Sequence, residues 1–290
     1  MTAAKITVGC VQVAPDDKRE ANIDRACDGV RTAARKGASL VLMPEYVSFL
    51  HASGRVMRES ARFEHEDPAL PRFKLAAREQ RVWLVAGSLV LMRDDERIVN
   101  RSFVIDANGE VVARYDKIHM FDATLPDGRV IRESSTYASG TDAVVVDTPW
   151  ARIGMSICYD LRFPLLYRVL AQAGAEVLVA PSAFTKATGL MHWQALLQAR
   201  AIENGAYVIA PATCGMHPGG HETYGHSLIV DPTGRIVASA GTEPDVVCAE
   251  IDLAMVETIR ARIPSLTHDR PFTVTQVRRA AVTASTQGKA

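Results

Sequence analysis

The apolar positions of the chain fall into short runs, separated by stretches with helical spacing. ITVGCVQV (6–13) predicts a first strand, and residues 19–36 predict a helix that stops before Gly37. SLVLMP (39–44) is apolar almost throughout, which is the pattern of a buried strand. Asp67 is placed to cap a helix with Pro68 at its first position, the favoured order at a helix start. WLVAGSLVLM and RSFVIDANGEVVARYDK follow as strands, with Asn108-Gly109 as a tight hairpin turn. Two further hairpins are expected in AVVVDTPWARIGMSIC and HSLIVDPTGRIVASA. Helical crossovers imply parallel strands and hairpins imply antiparallel ones, so the chain reads as α/β with mixed sheets.

One segment recurs. GASLVLMPE (37–45) aligns without gaps onto GAEVLVAPS (174–182), and GAYVIAPA (205–212) repeats it one residue shorter. Any αβ unit has this outline. If the three strands run parallel and side by side, however, their exits share one sheet edge, where the binding sites of α/β proteins gather. Glu45 and Ser182 would then flank one pocket, with Cys158 leaving the neighbouring strand RIGMSI.

Composition narrows the class. The 290 residues are 48% apolar, enough to bury a core without a covalent staple. Lys plus Arg and Asp plus Glu number 33 each, so no basic field exists to hold nucleic acid. No run approaches the ~18 apolar residues of a membrane span, and the N-terminus lacks a signal-peptide plan. The five cysteines are odd in number and none forms a C-x-x-C pair, which suits a reducing, cytoplasmic setting. His217, His221 and His226 lie in a Gly-rich loop without metal-ligand spacing, so no metal is expected.

Three residues carry candidate chemistry. Cys158 follows an apolar strand and precedes YDLRFPLLYRVLAQAG, where a helix N-terminus would favour the nucleophilic thiolate. Glu45 follows four apolar residues and a proline; burial would raise its pKa towards that of a general base. Lys117, in RYDKIHMFD, can face a developing oxyanion, and the backbone N–H of Tyr159 is the natural second donor. Taken singly, a core thiol, a strand-end acid and an edge lysine would each look the same.

Together and in this order, LMPEY, YDKIHMFD and GMSICYDLRFP resemble the nitrilase superfamily of carbon–nitrogen hydrolases, over about residues 5–272. PSAFTKATGLMHW, ARAIENGAYVIAPATCG and YGHSLIVDPTGRI are similar to its deaminated-glutathione amidase and omega-amidase branch. The resemblance implies a four-layer α-β-β-α sandwich with two mixed sheets, forming one domain over 1–272 with a tail at 273–290. It also implies a homodimer or higher assembly and no cofactor. Glu45 is then the base, Cys158 the nucleophile, Lys117 and Tyr159 the oxyanion donors, and Glu133, sixteen residues past the lysine, a second acid. Arg162 can fork onto a substrate carboxylate or pair with Asp160. Phe184, Thr188 and Trp193 are expected to line the pocket. The substrate implied is a small 2-oxo acid amide. The same machinery would serve a nitrile, an N-carbamoyl amine or an aliphatic amide, and a non-catalytic scaffold that binds a partner is the remaining alternative. Leu165, Gln194 and Thr233 depart from the branch pattern, which has Glu, Glu and Trp there.

Overall fold

A computed structural model of the chain describes residues 5–125 and 128–277. Two mixed sheets organise it. The first has seven strands, six of them in the order Asp245–Asp252, Lys5–Gln12, Leu40–Leu42, Trp83–Met92, Ile98–Ile105, Val111–Asp116; the short Arg62–Phe63 strand pairs beside Trp83–Met92. The second has six, in the order Ile236–Ser239, Leu228–Val230, Tyr207–Ala210, Val177–Val179, Arg152–Met155, Val145–Asp147. Each has a parallel trio at its centre, flanked by antiparallel strands.

Strand alternation explains how the sheets stack. Leu40 and Leu42 join Val8 and Cys10 in a core shared with Ile153, Met155 and Val177 of the second sheet. Val41 and Met43, on the opposite face, pack with Ile23, Val30 and Phe73 of the helices Arg19–Arg35 and Ala69–Gln80. Helices Pro164–Gln172 and Lys186–Asn204 cover the second sheet through Leu166, Leu170, Trp193 and Leu197. The result is the four-layer α-β-β-α sandwich with two mixed sheets. The predicted strand 83–92, the turn at Asn108-Gly109 and both later hairpins form as expected. The next helix starts one residue later than expected, at Ala69 with Pro68 as its N-cap, and Asp67 just ahead accepts the Ala69 N–H at 2.9 Å.

The repeated segments do not all share a sheet. Val177–Val179 and Tyr207–Ala210 are parallel neighbours, but Leu40–Leu42 belongs to the other sheet. The exits converge nonetheless, because the sheets approach closely at Gly87. A Cβ there would lie 1.7 Å from the Met43 carbonyl oxygen and 2.6 Å from the Pro181 Cβ, so a side chain has no room. Gly87 sits in an irregularity of Trp83–Met92, between Ala86 and Leu89. The adjoining Ser88 receives the turn after Pro44: its Oγ accepts from Tyr46 N at 3.2 Å and its carbonyl from Val47 N at 3.3 Å. The expected tail at 273–290 lies partly outside the described residues; 273–277 are exposed and without regular structure.

Candidate active site

Glu45 leaves the first sheet and Cys158 the second, and they meet at the seam between them. Glu45 is 1% exposed and held from three sides. Its Oε1 accepts from Asn100 Nδ2 at 2.8 Å and Lys117 Nζ at 3.2 Å, and its Oε2 from the Ala183 N–H at 2.7 Å. Lys117 Nζ also donates to both oxygens of Glu133, at 2.9 and 2.8 Å. Glu133 in turn accepts from the Tyr46 hydroxyl at 2.9 Å and from the Phe121 N–H. One ammonium therefore bridges two buried carboxylates. Burial pushes the Glu45 carboxyl above its usual range, opposed by Lys117. Burial also works against the Lys117 charge, but Glu133 and Glu45 more than offset it and hold the ammonium well above its ordinary pKa.

Cys158 lies near enough to Glu45 to feel its charge. Burial first, and the Glu45 charge second, raise the thiol well above its ordinary value, so it rests protonated. This corrects the expectation of a thiolate favoured by a helix terminus. The α-helix begins at Pro164, whereas Cys158 opens a short 3-10 turn, Cys158–Arg162. The backbone at Cys158 is left-handed, φ 49°, as is that at Tyr46, φ 57°. Such conformations cost a non-glycine residue about 1–2 kcal/mol and persist only when their surroundings enforce them. The Cys158 N–H donates to the Pro181 carbonyl at 2.9 Å. Buried Asp160 anchors the same turn: it accepts from Ile157 N at 2.9 Å, Tyr115 Oη at 2.7 Å and His119 N at 3.0 Å, with His119 Nδ1 2.7 Å away.

A cavity of about 420 Å³ opens over this cluster, lined at its base by Glu45, Lys117, Glu133 and Cys158, and higher up by His51, Arg132, Thr185 and His221 among others. A larger hollow of about 640 Å³, between Ala171 and Leu266, is lined by neither a thiol nor a carboxylate.

Four expected substrate contacts are not brought to the cavity wall. Trp193 is buried, donating from Nε1 to the His226 carbonyl at 2.7 Å, and its ring packs on Phe184 at 4.9 Å. Thr188 turns its hydroxyl to Thr185 at 2.7 Å, and it is Thr185 that faces the cavity. Arg162 pairs with neither the cavity nor Asp160. Its guanidinium lies over the rings of Tyr159 and Phe184, at 5.8 and 5.4 Å, near His192. Sequence reading missed Asn100, Tyr46 and Asp160. The signal for Asn100 was a polar residue inside the apolar strand IVNRSFVI.

A thiol, two carboxylates and an ammonium at the meeting edge of two stacked sheets are the set that a hydrolase of carbon–nitrogen bonds would use. Residues 7–261 match the carbon-nitrogen hydrolase family, and the chain belongs to it. Deaminated glutathione amidase of Dictyostelium discoideum is 36% identical over 273 residues, covering 91% of this chain and 93% of that protein. The protein of that name from Yersinia enterocolitica is 42% identical over 241 residues, covering 81% and 82%. Among solved structures, Caenorhabditis elegans NitFhit aligns with a TM-score of 0.87 at 36% identity, over 93% of this chain and 66% of that one. Saccharomyces cerevisiae Nit3, described as a member of branch 10 of the nitrilase superfamily, aligns at 0.83 and 30%, over 92% and 97%. Among the described residues no helix is long and apolar enough to cross a membrane.

Proposed function

We propose that the chain is an amidase that hydrolyses the carboxamide of a small 2-oxo acid amide, deaminated glutathione or 2-oxoglutaramate, to the acid and ammonia. The observation that carries this reading is a buried thiol and a buried carboxylate lining one cavity, with an ammonium that links the carboxylate to a second acid. Glu45 takes the Sγ proton as sulfur attacks the carbonyl carbon, and the displaced electron pair rests on oxygen between Lys117 Nζ and the Tyr159 N–H. Collapse breaks the C–N bond. Ammonia leaves with the proton held by Glu45, and a thioester remains on Cys158. Water, positioned with help from Glu133, gives a proton to Glu45 and adds to the thioester; the thiol recovers that proton as the acid departs.

Ammonia release from both amides, from a nitrile and from an N-carbamoyl amine tests the reading. We expect turnover of the 2-oxo amides and none of the others; turnover of the nitrile alone would overturn it. The acid limb of the pH profile adds a second readout. Glu45 must be ionised to act as base, and its pKa is raised, so kcat/KM falls as pH drops through a value above the ordinary carboxyl range. The thiol is protonated across that range and adds no acid limb of its own. A flat profile between about pH 5 and about pH 9 removes Glu45 as base.

We further read residues 1–272 as one hydrolase domain with a 273–290 tail, working in the cytoplasm, where its free thiols stay reduced. A homodimer is supported by the apolar side chains exposed on the outer helices, Leu165 and Val169 on one, Leu190 and Met191 on the other. Leu165 stands where the branch pattern has Glu, which enlarges that apolar face. Light scattering at micromolar concentration should give a dimer or larger mass; a monomer would refute the assembly.

A further inference from the structure

The two acids lining the cavity are both committed at its base, Glu45 to Asn100, Lys117 and the Ala183 amide, Glu133 to Lys117, Tyr46 and the Phe121 amide. With both ionised, two negative charges face the single positive charge of Lys117. An anionic part of a substrate is repelled there and must find its counter-charge further out.

The outer wall supplies one. The strand Val130–Arg132 lines the cavity, and Arg132 is followed directly by Glu133, so one chain segment delivers both the acid at the base and a cation at the mouth. Arg132 is exposed, and its Nη1 reaches only the Ile131 carbonyl, at 3.4 Å. Among the described residues it forms no ion pair within 4 Å, although Asp122, its partner across the hairpin, feels its charge; Arg101 and Arg114 each engage carboxylates directly. His51, also lining the cavity, accepts the Ser53 N–H on Nδ1 at 2.9 Å, which leaves its Nε2–H as a donor. Thr136 adds a hydroxyl. Burial, with His217 and Arg129, holds the His221 pKa down at about 4, so this ring brings no charge near neutral pH. A mouth of donors with a cation among them, above an acidic base, fits a ligand with an amide at one end and a carboxylate at the other.

We propose that Arg132 determines specificity by receiving a substrate carboxylate remote from the scissile amide, with His51 as a second donor. This deepens the amidase reading and rests on it for the identity of the reacting end. A guanidinium suits the task because its paired N–H groups match both carboxylate oxygens.

The test compares 2-oxoglutaramate with its methyl ester, on wild type, Arg132→Gln and Arg132→Lys. We expect Arg132→Gln to raise KM for the acid by roughly 10- to 100-fold, the range of a charge-assisted hydrogen bond. Its kcat should change by less than about twofold, since an interaction shared by ground and transition states moves KM alone. The ester should be unaffected, and Arg132→Lys should recover part of the loss. Equal effects on acid and ester, or none on the acid, would overturn the proposal. Calorimetric binding of the acid to Cys158→Ala, with and without Arg132→Gln, needs no turnover. A wild type that hydrolyses neither amide sinks the amidase reading, while binding indifferent to Arg132 sinks this one.

Discussion

Cys158→Ala is expected to lower amide turnover by at least about 10⁴-fold, leaving only what binding and the oxyanion donors achieve without a nucleophile. The fold should survive, because alanine suffers the same left-handed strain that cysteine bears at φ 49°. Cys158→Gly separates the two effects. Glycine adopts that backbone without a Cβ clash, so this variant should be equally inactive and about 1 kcal/mol more stable than Cys158→Ala. Ammonia release and urea unfolding of both variants check the pair. Residual activity within tenfold of wild type would remove the thiol from the reaction. Glycine no more stable than alanine would show that the turn is not strained.

Lys117→Met should fail in both respects. The ammonium lies 3.2 Å from Glu45 and 2.8 Å from Glu133, both buried. Its removal leaves two carboxylates facing each other without a counter-charge, a loss of about 3–5 kcal/mol at neutral pH. Turnover should fall at least about 10²–10³-fold from the missing oxyanion donor, and further because Glu45 would then hold its proton. The stability loss has a defined pH dependence. A carboxyl whose folded pKa is raised binds protons more tightly folded than unfolded, so its destabilising effect is full above the folded pKa and fades as pH falls through it. Denaturation of Lys117→Met against wild type should therefore show the gap narrowing with acid. A gap that stays constant with pH would mean that the ammonium does not neutralise these acids.

The sequence was most informative where local chemistry decides structure. Asn108-Gly109 demanded its turn and the run from Trp83 to Met92 its strand, while the order of Glu45, Lys117 and Cys158 pointed to the family before any distance was known. Sheet membership was not legible, because LVL at 40–42 and VLV at 177–179 are equally apolar and only long-range packing assigns them to different sheets. The cavity wall was also obscured. Phe184 and Trp193 are apolar enough for a pocket or a core, and packing against each other settled the matter. Arg132 sits in a short strand of alternating exposure with no apolar signal to mark it.

Because Glu45 arrives on one sheet and Cys158 on the other, neither sheet holds the set by itself. Part the layers, and the acid and the sulfhydryl separate; the cluster is a property of the docked sandwich.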